Sequence, residues 1–260
     1  MAIITLTSDL GLQDYYVASV KGAILKELPD ANIIDISHEI PPFDLQKSAF
    51  VIRNSYLDFP EGTIHIIGIN SDFDLEHPHV VVYANGHYFI GADNGIFSLI
   101  TDTPPEKAVE LTISQDTDNI TFPTKDVFVK AACHIARGGT MEIIGKPYPK
   151  LSEKAVFRAV SENNLIKGMV IYIDHYGNVV TNITIRMFKE FGKNRPFKLF
   201  FRGGEYDIDE ISKSYNSVVE GEKLALFSST GNIEIAINKG SAKELFNIKI
   251  GDIIRIEFYD

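Results

Sequence analysis

The chain has 260 residues, and its 45% hydrophobic and 23% charged content is typical of an ordinary globular protein with a sizeable core. A formal net charge of −10 argues against a nucleic-acid partner, because proteins that bind phosphate backbones usually carry a basic surface. No apolar run approaches the ~18 residues of a membrane-spanning helix. We expect no signal peptide, because the first residues lack a basic region. The single cysteine, Cys133, excludes an intrachain disulfide and indicates a reducing, cytoplasmic location.

The first stretch of the chain predicts a strand that turns into a helix. Residues 3–6 are apolar and β-branched, as in a strand buried on both faces, and apolar residues at helical spacing begin at Tyr16. Asp9 therefore lies at the carboxyl end of a first parallel strand, where α/β sheets bind ligands. Gly11 permits a tight turn, and Asp14 occupies the expected N-cap position. A purely structural role, with Asp9 closing the turn and Asp14 capping the helix, is equally compatible with these residues.

The rest of the first half continues the alternation of strand and helix. Strands are predicted over residues 32–36 and 63–69, and Asp44 is expected to cap the helix between them. A β-hairpin is predicted around the Asn85-Gly86 turn, and a helical pattern covers residues 127–136. Short connections between these elements favour a doubly wound α/β layer. We assign it to residues 1–150.

The second half has a different pattern. Between about Gly139 and Phe157 the periodicity weakens and prolines appear, which predicts a linker. Beyond it, short strands follow one another closely; they are expected over residues 168–174, 179–182, 197–201, 224–227, 233–237 and 253–258. Closely spaced short strands are typical of a small antiparallel barrel or sandwich. The predicted architecture is therefore an α/β domain followed by a smaller β domain over residues 151–260.

One cluster of acidic residues and histidines interrupts the first half. In an extended segment Asp72, Asp74 and Glu76 would share a face, and with His77 and His79 they could hold a divalent cation. The alternative, a solvated loop between two strands, is favoured because loops collect such residues. No metal is therefore predicted. The remaining candidates, His38, His65, His87 and His134, are isolated in the sequence and are interpreted as structural.

Several motifs resemble one known family along nearly the whole chain. The first, Thr7-Ser8-Asp9-Leu10-Gly11 with Asp14 and Val20-Lys21-Gly22, resembles the opening of the S-adenosylmethionine hydroxide adenosyltransferases and their halogenase relatives. Further matching motifs follow in the same order: residues 34–42, 59–63, 93–95, 173–183 and 228–236. The resemblance implies that S-adenosylmethionine is the substrate and that no cofactor is needed. It also implies a homotrimer whose sites lie between the N-terminal domain of one subunit and the C-terminal domain of its neighbour.

The resemblance also implies roles for individual residues. Asp9 matches the carboxylate that accepts hydrogen bonds from both ribose hydroxyls, and Asp14 and Asp174 match acids near the ammonium of the methionine end. Asn178 matches the residue that contacts the adenine edge, and Ser229 matches a contact to the methionine carboxylate. The aromatic residues that correspond to those bracketing the ligand are Phe43, Phe122, Tyr176 and Tyr215.

The catalytic positions depart from the family pattern. Hydrolytic members have an Asp after the third strand, an Arg shortly after it, and a His in a Phe-His-Gly-Arg-Asp segment. Here the Asp position is Asn70, the Arg region has Glu76 and His77, and Pro123 replaces the histidine. An amide cannot act as a base and proline has no polar side chain, so the usual group that activates water is missing.

Three functions remain open at this point. The first is adenosyl transfer to water, giving adenosine and methionine, with His77, His79 or Glu76 as the replacement base and Asn70 at the water site. The second is transfer to a halide, because an anionic nucleophile needs no base and Thr124 matches a halide-contacting serine of the halogenating relatives. The third is a catalytically silent protein that binds the nucleoside ligand. A small-molecule ligand, with neither nucleic acid nor membrane as partner, is common to all three.

Overall fold

A mixed sheet organises the first of the two units into which the chain divides, Met1–Ala155 and Val156–Asp260. The structure, a computed structural model, describes residues 2–113 and 121–259. The strands of this sheet are β1 (Ile3–Ser8), β2 (Asn32–Ser37), β3 (Ile64–Gly68), β4 (His79–Ala84), β5 (His87–Ala92), β6 (Lys107–Leu111) and β7 (Gly145–Pro147). Their spatial order is β2-β1-β3-β5-β4-β6-β7. The first four strands in this order, β2, β1, β3 and β5, are parallel to one another, and the remaining neighbouring pairs are antiparallel.

Helices cover both faces of this sheet. They are α1 (Tyr16–Glu27), α2 (Leu45–Arg53), α3 (Phe97–Ile100), α4 (Val129–Ala136) and α5 (Met141–Ile144), and a π-helical turn, Thr124–Phe128, leads directly into α4. Successive β3 side chains point to opposite faces, so Ile64 and Ile66 pack with α1 and α4, whereas Ile67 packs with α2 and α3. The doubly wound layer predicted from the sequence is confirmed.

The second unit is a β-sheet that nearly closes on itself. Its strands are β8 (Val160–Glu162), β9 (Leu165–Ile173), β10 (Val179–Thr184), β11 (Phe197–Phe201), β12 (Tyr206–Ile208), β13 (Lys223–Phe227), β14 (Asn232–Ile237) and β15 (Ile253–Phe258). They run β12-β11-β15-β9-β10-β14-β13, with β8 on β9, and the strand pairs are antiparallel. A bridge between Ile211 and Ala225 links the two ends of this path. Helices α6 (Ile185–Gly192) and α7 (Ala242–Phe246) complete the unit. The prediction of an antiparallel barrel or sandwich is confirmed, and the sheet takes the barrel-like form.

Two local predictions are wrong. Asp14 does not cap α1, because the helix begins one residue later than expected and its N-cap is Tyr15, which makes no side-chain capping bond. The linker predicted from Gly139 is also wrong over residues 141–147, which form α5 and β7. Gly145 and Pro147 pair with β6 at the edge of the sheet, where a proline removes no required hydrogen bond. By contrast Asp44 caps α2 as predicted and accepts a hydrogen bond from Lys47 N at 2.9 Å.

Candidate functional site

Asp9 lies at the carboxyl end of β1 in a fixed orientation. Its Oδ2 accepts a hydrogen bond from the backbone N–H of Phe43 at 2.9 Å, which joins the ends of two segments 34 residues apart. Phe43 has φ 66°, a strained conformation for a bulky residue, and the residue is 69% exposed. Backbone strain of this kind persists only where the surrounding structure holds it in place, and it is found most often at ligand and active sites. The predicted ribose acid and one predicted aromatic are therefore in direct contact.

A series of polar side chains in contact with one another holds the turn that contains Asp9. Ser8 Oγ and His38 Nδ1 are 2.6 Å apart, and the backbone N–H of Gly11 donates to the His38 carbonyl at 3.0 Å. His38 Nε2 lies 3.1 Å from Asp35 Oδ1, although without the alignment of a good hydrogen bond, and Asp35 Oδ2 accepts from Lys21 Nζ at 2.5 Å. Burial opposes ionisation of Asp35, but Lys21 and His38 outweigh it and lower the pKa of this carboxyl. His38 therefore has polar partners in the structure, although it is isolated in the sequence.

The predicted residues Asp14 and Phe122 both lie near the start of α1. Asp14 is exposed in the bend between Gly11 and the helix. The Phe122 ring packs edge-on against Tyr16, with ring centroids 5.4 Å apart. Lys125 Nζ lies 5.7 Å from the centroid of the same Phe122 ring. Phe122 is therefore held between the first turn of α1 and the π-helical turn Thr124–Phe128.

Thr124 lies beside the carboxyl ends of β1 and β3. A Cβ placed on Gly68 would lie 2.9 Å from Thr124 Cγ2 and 3.4 Å from Ser8 Cβ, so only glycine fits between them. Thr124 is buried, and its Oγ1 lies 3.0 Å from the hydroxyl oxygen of Ser71. π-Helical turns are rare and occur frequently at functional sites. Nothing in the sequence pattern had pointed to Ser71.

Asn70 adopts a left-handed backbone conformation, with φ 43°, two residues after the end of β3. The buried Asn94 holds it, because Asn94 Nδ2 donates to the carbonyls of Ile69 and Asn70 at 3.1 and 3.3 Å. This contact gives the Asp93-Asn94-Gly95 motif a physical role. Its aspartate is also buried and accepts hydrogen bonds from Tyr148 Oη and Ser152 N. The side chain of Asn70 itself is exposed.

The acidic-histidine segment forms a turn centred on Asp74. Asp74 Oδ1 accepts from the backbone N–H of Glu76 and of His77 at 2.8 and 2.7 Å, and Asp74 Oδ2 contacts His77 Nδ1 at 2.9 Å. The hydrogen bond from His77 lowers the pKa of the Asp74 carboxyl. His79 is instead buried on β4, where its Nε2 donates to the Ser71 carbonyl at 2.9 Å, and burial lowers its pKa. Across residues 2–113 and 121–259, no three His, Cys, Asp or Glu side chains are grouped as metal ligands.

The second unit assembles its own set of predicted residues. Asp174 and Asn178 flank the turn between β9 and β10, where Asp174 Oδ1 accepts from the backbone N–H of Asn178 at 2.8 Å and Oδ2 accepts from its Nδ2 at 3.0 Å. The Asn178 side chain is buried, so it orients Asp174 in addition to any contact with a ligand. Gly177 has φ 83°, which this turn requires. Tyr176 is 75% exposed beside it.

Glu234 is a member of this set that sequence reasoning missed. It lies on β14, is only 4% exposed, and its Oε1 accepts a hydrogen bond from Tyr215 Oη at 2.7 Å. Burial raises the pKa of Glu234, and the negative charge of Asp174 raises it further although Tyr215 opposes the shift. Burial and Glu234 raise the pKa of Tyr215. Asp174, Tyr215 and Glu234 therefore influence one another electrostatically. The remaining predicted residue of this unit, Ser229, is exposed in the turn before β14.

The fold and these residues place the chain in a defined class. The family model for the S-adenosylmethionine hydroxide adenosyltransferase N-terminal domain matches residues 4–145, and the model for the C-terminal domain of the same family matches residues 168–255. The chain therefore belongs to this family, as the motifs had predicted. Within the described part of the chain, no helix is both long and apolar enough to cross a membrane.

Individual relatives agree with this assignment over almost their whole length. The chain is 28% identical to the (R)-S-adenosyl-L-methionine hydrolase of Thermus thermophilus, with 96% of this chain and 97% of the relative covered. It is 29% identical to the enzyme of the same name from Methanocaldococcus jannaschii, with 98% and 95% covered. A fluorinase of Nocardia brasiliensis is 25% identical, with 98% and 96% covered. The crystal structure of an uncharacterized conserved protein from Thermotoga maritima matches with a TM-score of 0.88 and 28% identity, covering 98% and 99%.

Proposed function

We propose that the chain binds S-adenosyl-L-methionine and transfers its adenosyl group to water, giving adenosine and L-methionine. The observation that carries this proposal is the anchored carboxylate of Asp9 at the carboxyl end of β1. One oxygen is fixed by a backbone N–H, and an ionised carboxylate has further lone pairs to accept hydrogen bonds from the two ribose hydroxyls. The relatives named as hydrolases, which match the chain end to end, support water as the acceptor.

The second unit supplies the groups that suit the methionine end of the substrate. Asp174 is held by two hydrogen bonds from Asn178, and the buried Glu234 lies within its electrostatic range. Carboxylates fixed in this way favour an ammonium group, because a partly desolvated charge pair is stronger than one in open water. Tyr215, fixed by Glu234, and the exposed Tyr176 provide aromatic surface for the remainder of the ligand.

Loss of the Asp9 charge tests this ligand assignment. Asp9→Asn keeps the size of the side chain and an acceptor for the Phe43 N–H, but it removes the charge that strengthens bonds to the ribose diol. We expect the Kd for S-adenosyl-L-methionine to rise by roughly 10- to 100-fold by isothermal titration calorimetry. Asp30→Asn is the matched control, because Asp30 is exposed in the loop that precedes β2, at the opposite end of the parallel strands. An unchanged Kd in Asp9→Asn would refute the assignment.

A catalytically silent binding protein is the second candidate, and the residues at the water site favour it. Asn70 and Pro123 occupy the positions of two groups that activate water in the hydrolytic relatives, and neither can accept a proton. His77 remains the proposed replacement base. Its contact with Asp74 is made through Nδ1, which leaves Nε2 as the nitrogen available to a water molecule.

Product analysis separates these functions. The purified chain is incubated with S-adenosyl-L-methionine in chloride buffer and in chloride-free buffer, and the products are resolved by chromatography. Adenosine and methionine in both buffers are the expected result. A chloride-dependent nucleoside would show transfer to a halide. Bound ligand without product would establish the silent binding protein.

We also propose a homotrimer in which each site combines the first unit of one subunit with the second unit of its neighbour. The proposal is supported by the distribution of the ligand residues, with Asp9 in one unit and Asp174 in the other. Co-expression of Asp9→Ala and Asp174→Ala chains tests it, because a mixed trimer then contains one site with both acids intact. We expect about a quarter of the wild-type activity from such mixtures. Activity no higher than that of either variant alone would contradict shared sites.

A further inference from the structure

Two hydroxyl groups meet at the place where the family's water-activating residues are missing. Ser71 directly follows Asn70, and Thr124 directly follows Pro123, so each hydroxyl is one residue beyond a lost catalytic position. The oxygens of these two side chains are 3.0 Å apart, although 53 residues separate them in the sequence. Thr124 is 3% exposed and Ser71 is half-buried, so the pair has an inner and an outer member.

The surrounding residues hold this pair rigidly. His79 Nε2 donates to the Ser71 carbonyl at 2.9 Å, and Asn94 Nδ2 donates to the preceding carbonyl, that of Asn70. Thr124 is confined by Gly68, where any Cβ would collide with its side chain. A side chain this close to Gly68 is also close to Ser8, the residue before the proposed ribose acid. The hydroxyl pair therefore lies at the same strand ends as the proposed nucleoside site.

The chemistry of paired hydroxyls suits an oxygen nucleophile. Each hydroxyl has one proton to donate and two lone pairs that accept. When Thr124 donates to Ser71, the Ser71 hydroxyl keeps its own proton and a lone pair for a further partner. Such a pair can orient a water molecule or an anion, but it cannot remove a proton near neutral pH.

We propose that Ser71 and Thr124 together hold the attacking water against C5′ of the substrate. This inference rests on the proposed function, since it identifies the nucleophile subsite of that reaction. The water oxygen forms a bond to C5′ while the C5′–S bond breaks. The electron pair of the broken bond passes to sulfur and gives the neutral thioether of methionine. The proton that the new 5′-hydroxyl group sheds passes through His77, the proposed base, to solvent water, so the sum is substrate plus water giving adenosine, methionine and a proton.

Removal of either hydroxyl tests the proposal. Ser71→Ala and Thr124→Val delete one oxygen each with little change in volume, and we expect kcat to fall by roughly 10- to 100-fold. The Kd for S-adenosyl-L-methionine should stay within about twofold, because the nucleophile is bound separately from the nucleoside. Ser71→Thr and Thr124→Ser keep a hydroxyl and should restore most of the rate. Ser55→Ala is the matched control, since Ser55 is a half-buried serine whose hydroxyl donates to Val51 O at the end of α2.

The possible outcomes separate this inference from the function on which it rests. Wild-type chain that binds the substrate but releases no adenosine would overturn both. Wild-type turnover with unchanged kcat in Ser71→Ala and Thr124→Val would overturn the hydroxyl pair and leave the proposed function standing. Equal losses of affinity and rate in these variants would also contradict it, because they would indicate a general disturbance of the ligand site. Circular dichroism of each variant confirms that it is folded.

Discussion

Acidification should destabilise the first unit through a buried pair of histidines. His65 on β3 and His87 on β5 are 3.1 Å apart, measured from Nε2 of the first to Nδ1 of the second, and Thr5 Oγ1 lies 2.7 Å from His65 Nδ1. The His65 ring stacks on Phe89 at 4.9 Å. Burial, and then the neighbouring His87, lower the pKa of His65 to about 3. Burial also lowers the pKa of His87, although the negative charge of Glu61 opposes it.

The sign and size of the effect follow from proton binding. The unfolded chain binds a proton at His65 with a pKa near 6.5, whereas the folded chain does so only near 3, so the unfolded state gains protons first as the pH falls. The stability that the neutral His65 contributes is therefore fully present above pH 6.5, and it is lost progressively as the pH falls from 6.5 towards 3. Between pH 8 and pH 5 the contribution of His65 amounts to a loss of about 2 kcal/mol in the free energy of unfolding.

Urea unfolding measured by far-UV circular dichroism provides the assay, because the chain has no tryptophan. The free energy of unfolding is determined at pH 8 and pH 5 for the wild type, for His65→Gln and for His175→Gln, a control at an exposed position. Other groups also titrate, so the informative quantity is the difference between variants. We expect the acid-induced loss to be about 2 kcal/mol smaller in His65→Gln than in the other two proteins. The same loss in all three would refute the reasoning.

Three further predictions follow from individual contacts. His38→Ala should loosen the Asp9 turn and raise the Kd for S-adenosyl-L-methionine several-fold by calorimetry, with a smaller change in kcat; a selective loss of kcat would contradict this. Tyr215→Phe should destabilise the second unit by about 1–3 kcal/mol in urea, because it leaves the buried Glu234 without its donor, whereas Glu234→Gln should cost less; the reverse order would be inconsistent with the bond. Gly177→Ala should lower the melting temperature more than Gly221→Ala. Both glycines have a positive φ, but only a Cβ at position 177 would collide with Ser241, which caps α7; equal shifts would exclude the collision.

Much of the fold could be predicted because local chemistry and tertiary structure agree. The Asn85-Gly86 hairpin formed as expected, with both residues at positive φ, and Asp44 begins α2. The N-cap predicted at Asp14 was wrong because capping depends on where the chain enters the helix, and the bend after Gly11 delays that entry. The edge strand at Gly145 was missed because its pairing partner, β6, is more than 30 residues away.

The candidate site was only partly visible in the sequence for a related reason. The strand pattern placed Asp9 at a strand end, but a ligand role for Asp9 and for Asp174 was predicted only from the motifs that resemble the family. His65 and His87 looked isolated, and only the pairing of β3 with β5 brings them together. Glu234 was not among the predicted site residues, because the tyrosine that donates to it, Tyr215, comes from another segment of the chain. The bond of Ser71 to Thr124 likewise depends on tertiary structure.

The central claim is that water attacks C5′ of the substrate, and isotopic labelling tests it most directly. The purified chain is incubated with S-adenosyl-L-methionine in water enriched in ¹⁸O, and the adenosine is examined by mass spectrometry. Our account predicts methionine together with adenosine that carries one ¹⁸O atom at the 5′ position. Adenosine without the label, a 5′-substituted nucleoside in its place, or bound substrate that is never converted would contradict it.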